Sequence, residues 1–159
     1  MRVFLDIETR ALADEVGGWG ELRRGAGGIS IIVTLEDPDN GMAVWDEYSL
    51  PELAEYLVRA DEVITWNGFH FDIPVIENML GRSLALNNHR DLKMELKARS
   101  LEEAGQRYCG RGKTADGTDA VRFLREGRIA ELVNYCRDDV ELLRDIYYAT
   151  NGLDLGLES

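Results

Sequence analysis

Three short stretches place acidic side chains where apolar elements end. Arg2-Val3-Phe4-Leu5-Asp6-Ile7-Glu8-Thr9 reads as a core strand whose far end carries Asp6 and Glu8. Residues two apart on a strand share a face, so these carboxylates project together. Two anions this close repel where water is scarce, and a hard divalent cation is the usual partner that favours both ionised forms. Farther on, Val63-Ile64-Thr65-Trp66 runs into Asn67-Gly68, where a turn is easy, and Asp72 then opens a helix with Pro74 in its first turn. In Asn134-Tyr135-Cys136-Arg137-Asp138-Asp139-Val140, Tyr135 and Asp139 are four apart, on one helical face and one turn from each other. Taken singly, each stretch has a plain structural meaning: acids facing water, an N-cap, a helix surface with a half-buried tyrosine. Their chemistry depends on whether the fold brings all three together.

The elements that must position them alternate in type. After Thr9, the run Gly17-Gly18-Trp19-Gly20 with Gly25, Gly27 and Gly28 is too rich in glycine for a regular element. It reads as a connection, with Trp19 available to stack on a base and Arg23 and Arg24 available to phosphate. Ile29–Leu35 and Met42–Trp45 read as strands around a turn at residues 37–41, which makes an antiparallel meander with the first strand. A helix opens at Leu50-Pro51, a short buried strand covers Asp61–Trp66, and a helix follows from Asp72 to Leu80. Residues 91–99 are ambiguous. Ser100-Leu101-Glu102-Glu103 has the form of a capping box, Thr118–Glu126 is an amphipathic helix, and a long last helix starts at Ile129. Asn151-Gly152 is expected to stop it, leaving residues 151–159 as a tail on a single domain of residues 1–150. This order gives an α/β class with a mixed central sheet flanked by helices.

Composition narrows the setting. An apolar fraction of 45% supports a packed core, and no apolar run reaches the length of a membrane span. No signal-peptide pattern opens the chain, so a cytoplasmic protein without a membrane partner is expected. Cys109 and Cys136 lack metal-like spacing and read as free thiols. The net charge of −12 argues against broad binding to a polyanion, but the charge is uneven: residues 82–128 are net positive and the remainder strongly negative. A small, salt-sensitive footprint on nucleic acid is compatible with that strip, as is a solvated helical face.

Together, Asp-x-Glu-Thr after a strand, Asn-Gly-x-x-Phe-Asp-x-Pro in the middle and Tyr-Cys-x-x-Asp-Val on the last helix resemble the three exonuclease motifs of the DEDD superfamily in its tyrosine subtype. By pattern the chain is similar to the proofreading domains of family B DNA polymerases and to stand-alone exonucleases related to them, in order from Arg2 to Tyr148. The histidine subtype would need His where this chain has Asn134. The resemblance implies a ribonuclease H-like fold in which Asp6, Glu8, Asp72 and Asp139 hold two Mg²⁺ or Mn²⁺ ions. It also implies hydrolysis of DNA or RNA from the 3′ end, with release of 5′-mononucleotides, and a part in trimming or repair. Tyr135 would orient the attacking water, since a phenol is a poor base at neutral pH. Thr9, Asn67 and Phe71 are the implied contacts to the terminal nucleotide.

Other signals compete. His89-Arg90-Asp91 matches the start of a kinase catalytic loop, but the chain is too short for a kinase and lacks its glycine loop. Asp91 is then either an accessory acid near the metals or a surface turn residue. Gly110-Arg111-Gly112-Lys113-Thr114 lacks the first glycine of a Walker A motif, which leaves Arg111 and Lys113 as a basic loop touching substrate backbone, or a linker. His70 is read as structural, because hard cations prefer oxygen. Rival functions are an RNA-directed or other metal nuclease, a catalytically silent binding module, and a hydrolase of small nucleotides.

Overall fold

The computed structural model describes the backbone of residues 1–158 and the side chains of residues 1–150. Its central strand, β1 (Arg2–Glu8), alternates strictly. Val3, Leu5 and Ile7 enter the apolar layer on one face, while Phe4 enters the layer on the other, the face that Asp6 and Glu8 share. Two short helices follow, α1 (Ala13–Val16) and α2 (Trp19–Arg23), where the glycine content led us to expect no regular element. Glycines at left-handed positions end and separate these helices without entering their interiors: Gly17 has φ 100 and Gly18 φ 118. Tertiary bonds also hold the segment to the body, with Asn78 Nδ2 donating to the Arg23 carbonyl at 2.9 Å.

Strands β2 (Ile31–Asp37) and β3 (Met42–Trp45) complete the antiparallel meander. β2 starts two residues later than expected, because the Ile29 N–H is taken by Glu47 instead of the ladder. A 3₁₀ turn at Glu47–Ser49, capped by Asp46, leads into α3 (Leu50–Arg59), then β4 (Glu62–Thr65) and α4 (Asp72–Leu80). The ambiguous stretch resolves into a fifth strand, β5 (His89–Asp91), and a one-turn helix, α5 (Leu92–Leu96). Three residues are too few for an alternation to be legible in sequence. Next come α6 (Leu101–Cys109), with Ser100 Oγ accepting from the Glu103 N–H, and α7 (Gly117–Arg125). The last helix, α8 (Ile129–Glu158), runs past Asn151-Gly152. The expected stop therefore fails, since an isolated glycine costs a helix only ~1 kcal/mol. A tail from residue 151 falls where side chains are not described.

Sheet order is β3-β2-β1-β4-β5, with β1, β4 and β5 mutually parallel and β2 and β3 antiparallel. Two apolar layers sandwich it. One joins Val3, Leu5, Ile7 and Ile32 to Leu53 and Leu57 of α3 and Val75 and Ile76 of α4. The other joins Phe4, Val33 and Ile64 to Ala104 of α6, Phe123 of α7 and Leu132, Val140 and Ile146 of α8. β1 thus delivers its acidic end between α4 and α8. This is a single α/β domain, a mixed five-stranded sheet between two helical layers.

Candidate active site

Four carboxylates from three separate elements meet at the end of β1. Asp6 and Glu8 point toward α8, where the Cys136 thiol donates to Asp6 Oδ2 at 3.4 Å. Asp72, at the first turn of α4, is 4% exposed and accepts from the Ile7 N–H at 3.3 Å, so it is tied to the strand between the two acids. It is not the cap of that helix, since the capping position is Phe71. Asp139, also 4% exposed, descends from α8 one turn after Tyr135.

Burial and mutual repulsion dominate the electrostatics. Burial, then Glu8, Asp139 and Asp72, hold the Asp6 carboxyl well above its usual range. Glu8 is raised in the same way, by burial and then Asp139. Burial lifts Asp72 to about 7 against the pull of its backbone hydrogen bonds. Burial also lifts Asp139 to about 6, with Lys113 the first group opposing it. Such a cluster calls for positive charge, and among the described residues Lys113 is the cation paired with it. Its Nζ lies 3.4 Å from Asp139 Oδ2 and donates to the Tyr135 hydroxyl at 2.9 Å. Burial tends to lower the Lys113 pKa, but Asp139, Asp6 and Glu8 together raise it. Asp139 Oδ1 is buried and finds no hydrogen-bond partner among the described residues. Hard oxygen donors, one of them orphaned, fit a divalent cation.

Lys113 reaches the site because its loop is held from behind. Glu102 of α6 accepts the Lys113 backbone N–H, and Gly112 lies so close to the Glu102 carboxylate that a Cβ there would collide with it. Arg111, two residues earlier, turns away to pair with Asp145 at 2.5 Å and does not line the cleft. Of the two basic residues in this loop, the fold brings in only Lys113.

Asn67 sits in a left-handed turn (φ 62) that opens the way from β4 to α4. Asp91, 2% exposed, shapes that turn by accepting from the N–H groups of Asn67 at 2.8 Å, Phe69 at 3.2 Å and Lys93 at 3.1 Å. It is neither a surface residue nor one of the four clustered acids; it holds the Asn67 turn and caps α5. Asn67 and Phe69 lie far from Asp91 in sequence, so no local signal announces its hold on the turn. Thr9, 9% exposed, donates to the Ala11 carbonyl at 2.9 Å and faces the cleft. Phe71 lies edge-on to Trp19, with centroids 6.0 Å apart. Trp19 is 67% exposed at the cleft wall, Arg23 donates to the His70 carbonyl at 2.6 Å, and Arg24 pairs with Glu21.

Sequence reasoning took Cys136 for a free thiol, and both cysteines are free. It missed that Cys136 Sγ and one oxygen each of Asp6 and Glu8 lie within 4.8 Å of one another. Burial pushes the Cys136 thiol well up, followed by the charge of Asp6, so it is a protonated donor that steadies Asp6 and a poor ligand for a hard ion. Asp6, Glu8, Thr9, Asn67, Phe71, Lys113, Tyr135 and Asp139 border a cleft of about 820 Å³, and Asp72 borders a recess beside it.

Fold and site together define a ribonuclease H-like domain with an acidic centre at the end of its first strand. The chain belongs to the RNase_H superfamily, whose family model matches residues 3–151. Among solved structures it is similar to the family B DNA polymerase of the hyperthermophilic archaeon Pyrobaculum calidifontis, with a TM-score of 0.72 and 14% identity. That match covers 91% of this chain and 24% of the polymerase, so the chain spans about a quarter of the polymerase's length. No curated protein matches the sequence. No helix among the described residues is long and apolar enough to cross a membrane.

Proposed function

We propose that the chain is a metal-dependent nuclease that removes nucleotides from the 3′ end of nucleic acid, single-stranded DNA being the favoured substrate. One observation carries this reading: Asp6, Glu8, Asp72 and Asp139, from three distant parts of the chain, converge in one cluster, the last two buried and the first two half-buried, that is unfavourable without a cation. Those four residues would hold two Mg²⁺ or Mn²⁺ ions. When bound, such ions neutralise a phosphodiester and make water more acidic. The 3′ polarity and the preference for DNA rest on the resemblance of the three motifs.

The chain's own groups divide the remaining work. Tyr135 is kept protonated, its pKa raised by burial and then by Glu8, so it orients water as a hydrogen-bond donor and does not remove a proton. Lys113 is placed to neutralise a phosphate oxygen once the carboxylates are otherwise satisfied. Asn67, Phe71 and Thr9 border the cleft where a terminal nucleotide would lie.

The test is incubation with 5′-labelled single-stranded DNA and RNA of one sequence, with Mg²⁺, with Mn²⁺ and with chelator, beside Asp6→Ala and Asp139→Ala. The expected result is a chelator-sensitive ladder descending from the 3′ end, reduced on the order of a thousandfold in either variant, since the metals' contribution is several kcal/mol. Wild-type activity in a folded Asp6→Ala variant would overturn the proposal.

A further inference from the structure

Three depressions meet at Asn67, and the acidic centre borders two of them. Beyond the main cleft, a groove of about 660 Å³ runs over α5, lined by Lys93, Lys97 and Arg99. Lys93 and Arg99 also line the main cleft, so the two are continuous. A recess of about 380 Å³ on the other side is bordered by Arg23 and by Asp6 and Asp72.

Charge distinguishes the rims. Most basic residues of this acidic protein are committed to carboxylates, but Lys93 and Lys97 form no ion pair among the described residues. Arg99, paired only with Glu103 of α6, is fully at the surface. The opposite rim, built by α1 and the start of α7, is acidic, with Asp14 and Asp116 lining it. It is also clasped: Arg125 of α7 donates both Nη groups to the Glu15 carboxylate of α1, at 2.9 and 2.7 Å. A polyanion meets repulsion and a closed bridge on one rim and uncommitted lysines on the other. Met94, 53% exposed, adds an apolar contact in the basic groove.

We infer that the α5 groove, through Lys93, Lys97 and Arg99, binds the backbone phosphates of a nucleic-acid strand upstream of the nucleotide held in the cleft. This rests on the proposed nuclease reading and adds the surface that tells a polymer from a free nucleotide.

The experiment compares wild type with the Lys93→Gln/Lys97→Gln variant on a 5′-labelled oligonucleotide and on a dinucleotide, in Mg²⁺, over a range of salt. A control, Arg59→Gln/Arg82→Gln, has the same net charge and removes cations that line none of the three depressions. The lysine variant is expected to raise the oligonucleotide KM about tenfold, with a smaller effect on the dinucleotide, and to flatten the log–log salt slope by about 0.7 per lysine. The control keeps the wild-type KM and slope. An unchanged oligonucleotide KM and slope in the lysine variant, or an equal loss in the control, would overturn the groove. If wild type cuts no nucleic acid, the nuclease reading fails separately. Fluorescence anisotropy of the same labelled oligonucleotide then judges the groove: affinity lost with the two lysines upholds it, and affinity indifferent to them removes it.

Discussion

At the scale of single residues, Tyr135 and Lys113 show how one site gives two polar groups different duties. Tyr135 is 3% exposed, and its hydroxyl accepts from Lys113. Tyr135→Phe removes only a hydrogen bond, so its kcat should fall by about tenfold to a hundredfold, well short of the loss on removing Asp139. Steady-state rates on a labelled oligonucleotide check this, and an unchanged kcat would reduce Tyr135 to packing. Lys113→Met should change metal dependence as well as rate. With the nearby Lys113 ammonium gone, the Asp139 carboxyl holds its proton more tightly, but above neutral pH, where it is ionised, the less compensated cluster attracts a divalent ion more strongly, so the Mg²⁺ concentration giving half-maximal activity at pH 8 should fall several-fold even as phosphate binding weakens. A metal titration of variant and wild type reads both effects.

At the scale of elements, the turn between β4 and α4 is a tightly constrained piece of chain beside the site. Gly68 packs so closely on Thr65 that a Cβ would lie 2.2 Å from its hydroxyl oxygen, and that same hydroxyl accepts the Gly68 N–H at 3.1 Å. Thr65 is fully buried and also bonded to His89 on β5 at 2.8 Å, so it cannot swing away. Gly68→Ala should therefore cost about 1–3 kcal/mol and displace Asn67 and Asp72 together, lowering both Tm and activity. A thermal melt paired with an activity assay tests this, and an unaltered Tm would show that the turn can relax. The glycines from Gly17 to Gly28 teach a different lesson. Gly20 is tolerated inside α2, while Gly17, Gly18, Gly25 and Gly28 take positive φ at helix ends and joins in a segment bonded to α4, so glycine density there signals sharp direction changes and not missing structure.

At the scale of the whole molecule, the acidic centre makes stability depend on pH and metal in opposite senses. A carboxyl whose folded pKa is raised binds more protons folded than unfolded, so its contribution is fully present below the unfolded value and is lost as pH rises through the folded one. For Asp72 and Asp139 that window runs from 3.8 to about 7 and about 6 respectively. Metal-free protein should accordingly lose Tm between pH 5 and 8, by several degrees, given roughly 2–4 °C per kcal/mol at this size. Millimolar Mg²⁺ or Mn²⁺ should reverse the loss at pH 8 and do little at pH 5, where protons compete for the same oxygens. Scanning calorimetry at the two pH values decides it; a Tm at pH 8 insensitive to metal would show that the carboxylates do not form a cation site.

The sequence alone determined the main strands and helices, whose signals are local, and pointed to the acids that cluster through the resemblance of its three motifs. Alternation buries Phe4 and exposes Asp6 and Glu8 to one shared face, and a spacing of four puts Tyr135 and Asp139 on one side of a helix. Only the tertiary structure decided which neighbours complete the centre. Lys113 enters while Arg111 is drawn off by Asp145; Asp91 is buried as the support of the Asn67 turn; Cys136 steadies Asp6; and Arg125 clasps Glu15 from the far side of the chain. Each of these is a contact between residues distant in sequence, fixed by how α6, α7 and α8 pack on the sheet, and the periodicity of a single element carries no record of its partner.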